Sequence, residues 1–259
     1  GNCAMADAKT IVVKYVAPIT GVVLGVSLHC APVAAMLEAS RKGTLASLQP
    51  WTFVGSLAQC LGLVLYGLEL KDPFIFLANL PGALAAHWFI LRAHTLSESP
   101  EQRLWIEAAT LGACALFAVL AEVRTLCFGP EGVQLYAWAT MVAIIIFYAL
   151  PLGALFHVLR ERDSSRLYWP QIVVCLLNSC AWTCYGLLAL GNPFVWVPNA
   201  AGVVLALVQL SLVLVFPRTE EAYFRATWFQ RLTGLYNHRP APLEFLLGDG
   251  KASPGSRSE

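Results

Sequence analysis

PQIVVCLLNSCAWTCYGLLALGNPFVWVPNAAG, residues Pro170 to Gly202, is two apolar runs joined by a tight Gly191-Asn192-Pro193 turn. The stretch holds no charged residue, yet it keeps Asn178, Trp182, Tyr185 and Asn199 inside the runs. A polar amide on an apolar helix is costly in lipid, so such groups face a bundle interior or a cavity. The pattern occurs a second time, earlier in the chain, and that recurrence organises the rest of the reading.

The chain has 259 residues, 58% of them hydrophobic and 13% charged, with a mean hydropathy of +0.63. Soluble domains are about a quarter charged, so the expected class is an all-α membrane protein. A net charge of +1 gives no electrostatic reason for a nucleic-acid partner. Of eight cysteines, Cys30, Cys60, Cys114, Cys175, Cys180 and Cys184 lie in apolar runs, where thiols pack as small hydrophobes. Cys180 and Cys184 sit one helical turn apart, but no His or carboxylate nearby completes a metal site. No metal and no cofactor is therefore expected.

A bilayer span takes about 20 mainly apolar residues, and seven are read: Tyr15 to Leu37, Pro50 to Leu70, Pro73 to Leu91, Leu104 to Phe128, Val133 to Leu159, Leu167 to Leu190 and Phe194 to Phe216. The first span is expected to serve as its own insertion signal. Loops are expected at Glu38 to Gly43, Arg92 to Arg103 and Arg160 to Arg166. The fourth span is the weakest, since its uninterrupted apolar run covers only Ala108 to Ala121. With the first terminus outside, Lys9, Lys14, Lys71 and Arg124 lie outside and the other 13 of the 17 basic residues inside. The positive-inside bias thus predicts an extracellular or lumenal N-terminus and a cytosolic C-terminus, in the plasma membrane or an endomembrane. The tail from Arg239 is rich in Pro, Gly and Ser and is expected to be disordered.

Sliding the chain by 119 residues puts Pro32 on Pro151 and Tyr66-Gly67-Leu68 on Tyr185-Gly186-Leu187. One more residue in the turn aligns Pro50 with Pro170, Pro73-Phe74 with Pro193-Phe194, Asn79 with Asn199 and Gly82 with Gly202. Spans 1–3 thus repeat as spans 5–7. Three is odd, so an added fourth span is needed to give both repeats one membrane orientation. The expected architecture is two parallel three-helix bundles joined by a linker helix (3+1+3). Its boundaries are an N-terminal segment 1–14, a first repeat 15–95, a linker region 96–131, a second repeat 132–217 and a cytosolic tail 218–259. Parallel repeats of this kind are a transporter architecture, with substrate near the midplane between the halves.

Asn79 and Asn199 hold equivalent positions, and each carboxamide donates and accepts hydrogen bonds, as sugar hydroxyls also do. A pair of asparagines from opposite halves is a natural sugar clamp, and Trp182 offers a flat apolar face to a pyranose ring. The plainer reading is that these amides bond only to neighbouring helices. Pro32, Pro50, Pro151 and Pro170 recur in the first two helices of each repeat, where kinks can serve as hinges. The plainer alternative is static kinks. Tyr66 and Tyr185, near the Pro73 and Pro193 turns, are candidate outer-gate residues. His29, His87 and His157 are read as packing residues with local hydrogen bonds. Gln59 and Asn178 are read first as inter-helix bonds and second as pore lining. No Asp or Glu lies within spans 1–3 or 5–7 except Glu38 and Glu69 at their ends, which favours a passive uniporter over a proton-coupled carrier. The last span has no lysine for a retinal Schiff base. No nucleophile–base or metal-ligand set supports an enzyme.

These residues resemble the SWEET (MtN3/saliva) sugar transporter family over residues 15 to 217. The resemblance is carried by Cys180-Ala181-Trp182-Thr183-Cys184-Tyr185-Gly186, Asn192-Pro193-Phe194 and Pro198-Asn199-Ala200-Ala201-Gly202. In the first half it rests on Ala31-Pro32, Leu65-Tyr66-Gly67, Lys71-Asp72-Pro73 and Asn79. It implies bidirectional passive sugar transport, sugar-binding asparagines at Asn79 and Asn199, a pocket tryptophan at Trp182 and a proline tetrad at Pro32, Pro50, Pro151 and Pro170. It also implies that Leu63 occupies the other pocket position and Asn192 that of an outer-gate Asp, and that the chain forms homo-oligomers. Ala34 stands where the family has a second proline. The expected substrate is a mono- or disaccharide, hexose over sucrose. The alternatives are a proton-coupled PQ-loop carrier of amino acids or other small solutes, for which Pro170-Gln171 is a matching dipeptide, and a seven-helix receptor.

Overall fold

The computed structural model describes residues 10–45, 48–162, 164 and 167–216, without the side chains of 130, 131, 146–154, 157 and 161. The tail 218–259 and the side chains of Pro151 and His157 thus lie outside the described residues. Among these, the chain is helical between its turns. The first span opens with a π turn, Val12–Val16, and continues as α1 (Ala17–Cys30) and α2 (Val33–Lys42). Then follow α3 (Pro50–Leu70), α4 (Pro73–Leu96), α5 (Pro100–Val123), α6 (Val133–Glu161), α7 (Trp169–Cys184) and α8 (Pro193–Val215). Six segments are long and apolar enough to cross a membrane: Val12–Lys42, Pro50–Leu70, Pro73–Leu96, Pro100–Phe128, Trp169–Ala189 and Pro193–Val215. The seventh, α6, is apolar through Val133–Ile145.

Proline sets most of the helix starts. It tolerates the first turn, where its missing N–H has no partner to lose. Pro50, Pro73, Pro100 and Pro193 open α3, α4, α5 and α8, and Pro170 is the second residue of α7. Pro50 and Pro170 therefore initiate their helices instead of kinking them, contrary to the kink expected from sequence. Pro32 does break its helix: it has no N–H for the Leu28 carbonyl, which accepts from Ala31 at 3.3 Å instead. The helix restarts with Met36 N–H on the Pro32 carbonyl at 2.9 Å. It then runs to Lys42, through the expected loop, with Glu38 and Lys42 ion-paired one turn apart. Gly43, at φ 70°, supplies the left-handed stop.

The polar connector expected over Arg92 to Arg103 shrinks to three residues, 97–99, because α4 runs to Leu96 and Ser99 caps α5. The fourth span is also stronger than its apolar run suggests, because two of its charges are partnered. Glu107 meets His94 at 2.6 Å and Arg124 meets Glu69 at 2.5 Å. Both partners lie on α3 or α4, so α5 is pinned to the first half near both of its ends.

The helices form a closed ring. α4 packs against α1 and α3, and α8 against α6 and α7. The ring closes where α3 meets α6 and α1 meets α7. Exchanging α1 with α6, α3 with α7 and α4 with α8 reproduces the same set of neighbours, and α5 lies outside against α3 and α4. Three cores result. One belongs to the first half (Met36, Leu57, Cys60, Phe89, Ala93) and one to the second (Leu155, Val158, Leu167, Ile172, Ala206). The third, at the end of the Pro73 and Pro193 turns, draws on both halves through Tyr66, Ile75, Tyr136, Trp182, Tyr185 and Val195. Among the described residues the halves thus share a core at the turn end and have separate cores at the other.

Close backbone approach at that end depends on the glycine after each tyrosine. A Cβ on Gly67 would lie 2.9 Å from the Phe76 backbone nitrogen, and one on Gly186 2.8 Å from that of Trp196. Backbone cannot swing aside, so Gly67→Ala and Gly186→Ala should each destabilise by about 1–3 kcal/mol. Thermal unfolding in detergent should show a midpoint several degrees lower for both. Gly112→Ala, whose Cβ meets nothing within 4 Å, should leave the midpoint unchanged or higher.

Candidate functional site

Each turn that joins the second to the third helix of a half carries a polar cap residue, and each cap does two jobs. Asp72 Oδ1 accepts from the Phe74 and Ile75 amides at 2.9 and 3.0 Å, starting α4. Its Oδ2 accepts from the Tyr185 hydroxyl, on the other half, at 2.7 Å. Asn192 Oδ1 accepts from the Phe194 amide at 3.0 Å, starting α8, while its Nδ2 donates to the Tyr66 hydroxyl at 2.6 Å. The two bonds cross between the halves, tyrosine to cap in both directions. Tyr66 is 3% exposed and Tyr185 6%, so both bonds are shielded from competing water.

Aromatic edges fill the space around them. The Phe194 ring meets Tyr66 at 6.4 Å, and the Phe74 ring meets Tyr185 at 5.9 Å, both edge-on. Beside this seal lie the two residues that the sequence reading expects to bound a pocket, Trp182 and Leu63. Trp182 is buried, with its ring against Gly21 of α1, where an added Cβ would fall 2.7 Å from the indole nitrogen. It also meets Tyr185 edge-on at 5.9 Å. Leu63 packs against the same shared core.

Asn79 is buried and Asn199 half-buried. Both turn back on their own helices: Asn79 Nδ2 donates to the Ile75 carbonyl at 2.8 Å and Asn199 Nδ2 to the Val195 carbonyl at 2.7 Å. No hydrogen bond joins the two amides among the described residues. Among the described residues the Oδ1 and second N–H of each amide make no further bond beyond its own helix, so both amides can still accept and donate. A proline lies near each, Pro81 inside α4 and Pro198 inside α8, which weakens the backbone ladder beside these side chains.

The structure thus brings Tyr66 to Asn192 and Tyr185 to Trp182. It sets Leu63 and Trp182 in one core and leaves Asn79 and Asn199 on separate helices, α4 and α8. Pro32, Pro50 and Pro170 stand at helix breaks or starts away from the turn end. Asp72 escaped the sequence reading, which treated it as turn chemistry. Its register did carry a signal, since one turn insertion aligns it with Asn192.

A family model described as "Sugar efflux transporter for intercellular exchange" matches residues 16–92 and 134–221. The curated relatives include Sugar transporter SWEET1 of Drosophila pseudoobscura pseudoobscura, 26% identical over 64% of this chain and 73% of the relative. Bidirectional sugar transporter SWEET7 of Arabidopsis thaliana is 25% identical over 86% of this chain and 85% of the relative. The solved structure of a eukaryotic SWEET transporter superposes with a TM-score of 0.71 at 23% identity, covering 76% of this chain and 94% of that one. The chain belongs to the MtN3/saliva (SWEET) family, and its helical fold is the one seen in that transporter. The family match falls in two blocks that leave out residues 93–133, the region of α5.

Removing one tyrosine hydroxyl leaves a buried polar partner without its bond, which costs about 1–3 kcal/mol. Tyr185→Phe should therefore loosen the turn end. Amide hydrogen exchange over residues 72–76 should rise about tenfold, the equivalent of about 1.4 kcal/mol. Tyr66→Phe should do the same over residues 192–196, and equal exchange in variant and parent would deny the bonds a sealing role.

Proposed function

We propose that this integral membrane protein carries sugar passively in both directions by alternating access. The observation that carries the reading is the uneven joining of the two halves. They share a core and two crossed hydrogen bonds at the turn end, and keep separate cores at the other. Such a body has one closed end and one end free to part. Family membership supplies the substrate class, since the relatives' names speak of sugar and of bidirectional transport.

In this reading the first repeat (15–95) and the second (132–217) are the moving units, and region 96–131 is the linker that travels with the first. Asn79 and Asn199 bind sugar hydroxyls through their uncommitted oxygens and N–H groups, with Trp182 and Leu63 bounding the ring. Tyr66, Tyr185, Asn192 and Asp72 form the gate at the turn end. Pro32, Pro50, Pro151 and Pro170, at the other end, mark the hinges. The basic-residue count places the turn end outside and the C-terminus in the cytosol, in the plasma membrane or an endomembrane. The cargo is assigned as a hexose in preference to sucrose, and the chain is assigned a homo-oligomeric state on the family resemblance.

The proton-coupled alternative needs an embedded carboxylate free to titrate during the cycle. Asp72 is the buried carboxylate among the described residues, and both of its oxygens are engaged in the cap and the gate. Nothing here favours that reading.

Purified protein in liposomes should exchange labelled hexose for unlabelled hexose, and an imposed pH gradient should drive no accumulation. Asn79→Ala and Asn199→Ala should each cut the exchange at least tenfold, about 1.4 kcal/mol of lost binding or gating. Normal exchange in both variants would remove the proposed site.

A further inference from the structure

A cavity of about 540 Å³ lies between the start of α3 and the start of α5, at the end of the molecule away from the Pro73 and Pro193 turns. Its place is set by two prolines. Pro50 opens α3 and Pro100 opens α5, and the two helices pack side by side. The volume is that of a small-molecule pocket, about 300–1,000 Å³. Apart from Pro50, none of the side chains assigned to transport lines it.

Two indoles border the cavity, Trp51 on α3, 57% exposed, and Trp105 on α5, 69% exposed. Ser99, Glu101 and Gln102 add polar groups, and no Lys or Arg lines it. Glu107, further along α5, meets His94, but among the described residues Glu101 has no ion pair. Arg103, in the same turn, is spent elsewhere, its Nε donating to the Ser97 carbonyl at 2.8 Å. A carboxylate in the first turn of α5 suits the helix dipole. The dipole accounts for the charge but not for two indoles lining the same hollow.

The surroundings place this hollow at the membrane–water boundary. α2 ends here with Arg41 and Lys42 in its last turn, and Arg92 lies over the Trp88 ring at 5.9 Å. Tryptophan and basic side chains gather at that level of a bilayer. Deeper along the two helices, Val54 and Ile106 continue the lining with apolar walls. The order from the boundary inward is therefore carboxylate, aromatic rings, aliphatic walls. Aromatic faces attract ammonium groups, and cages of them hold quaternary ones.

We propose that this cavity seats the head of a zwitterionic phospholipid drawn from the surrounding bilayer. The ammonium lies between Trp51 and Trp105 and against Glu101. The phosphate takes donors from the Gln102 amide and from the Ser99 hydroxyl, whose oxygen already accepts from the Gln102 backbone at 3.4 Å. One acyl chain follows Val54 and Ile106 inward. An anionic head finds no cation here and meets the Glu101 carboxylate, so the site selects against it. The seated lipid braces α5 against α3 at the end where the two halves have separate cores. This goes beyond the transport reading and does not depend on it.

The test titrates full-length protein in neutral detergent with short-chain phosphatidylcholine, and in parallel with phosphatidylglycerol of the same chains. Phosphatidylcholine should raise the thermal midpoint saturably, and phosphatidylglycerol should raise it far less. Glu101→Gln and Trp105→Leu should each raise the half-saturating phosphatidylcholine concentration about three- to tenfold. Their lipid-free midpoints should stay close to the parent's, because both side chains are exposed. Glu101→Lys should reverse the preference, so that phosphatidylglycerol becomes the stronger stabiliser. That reversal keeps the proposal testable where one of the other variants folds poorly. Equal stabilisation of the parent by the two lipids would overturn the proposal, as would an unchanged half-saturation in both Glu101→Gln and Trp105→Leu. Phosphocholine without acyl chains that reproduces the full shift would overturn the lipid as the occupant. A variant that changes oligomeric state while its lipid response stays intact would overturn it too, by showing the groove to be a contact between copies of the chain.

Discussion

Two side chains at two turns decide how the halves of this protein meet. A helix start in a membrane needs acceptors for its first amides, because lipid offers none. Asp72 and Asn192 supply them, and each has a second polar atom to place. Both second atoms find a tyrosine on the opposite half. The requirement for a cap and the requirement for a partner are met by one residue, so folding each half leaves it with a hook for the other. The bonds differ in sense: the carboxylate of Asp72 accepts from its tyrosine, while the amide of Asn192 donates to its own. An Asp72 bond is charge-assisted and the stronger of the two, so the seal is not symmetric in strength although it is symmetric in place.

The glycines belong to the same constraint. For a tyrosine on the second helix to reach a cap across the seam, its helix must lie close against the third. Gly67 and Gly186 allow that approach by having no Cβ where the facing backbone passes. The Tyr-Gly pair is thus one device: a hydroxyl to reach the cap across the seam and a bare backbone to bring it there. Small residues at helix contacts are a common means of association in lipid, where no hydrophobic force draws helices together. Here they also bring the crossed bonds into range.

Much of this was legible in the sequence. The repeat, the helix positions and the turn prolines could be read from spacing alone, because lipid leaves so few ways to satisfy a backbone. Partnership across the chain was harder to see. Glu107 and Arg124 made the fourth span look weak, since nothing local shows that His94 and Glu69 come within hydrogen-bond range of them. Asp72 read as a turn residue, and its second oxygen could be placed only once Tyr185, 113 residues away, was seen beside it. Pro50 and Pro170 looked like kinks because a proline at a helix start and one inside a helix differ only by where the helix begins. Gln59 and Asn178 looked like inter-helix bonds, yet among the described residues their buried side-chain oxygens meet no donor: a sequence shows that a residue can make a bond, not whether its partner comes into range.

The departures from symmetry bear on what the site can select. At the seam of α1 with α7, a tryptophan lies against a glycine, Trp182 on Gly21. At the seam of α3 with α6, a threonine lies against a glycine, Thr140 on Gly62. In the repeat register Gly21 answers to Thr140 and Trp182 to Leu63, so bulk moves from one side of the seam to the other between the two copies. Each seam still closes, because a side chain faces a bare backbone in both. The contents differ: one seam presents an indole, the other a hydroxyl and an aliphatic chain. A sugar ring has an apolar face and a rim of hydroxyls, so it is matched by such a pair in one orientation better than in the reverse. The duplicated scaffold gives the halves matching neighbours, and the unequal seams give them different linings.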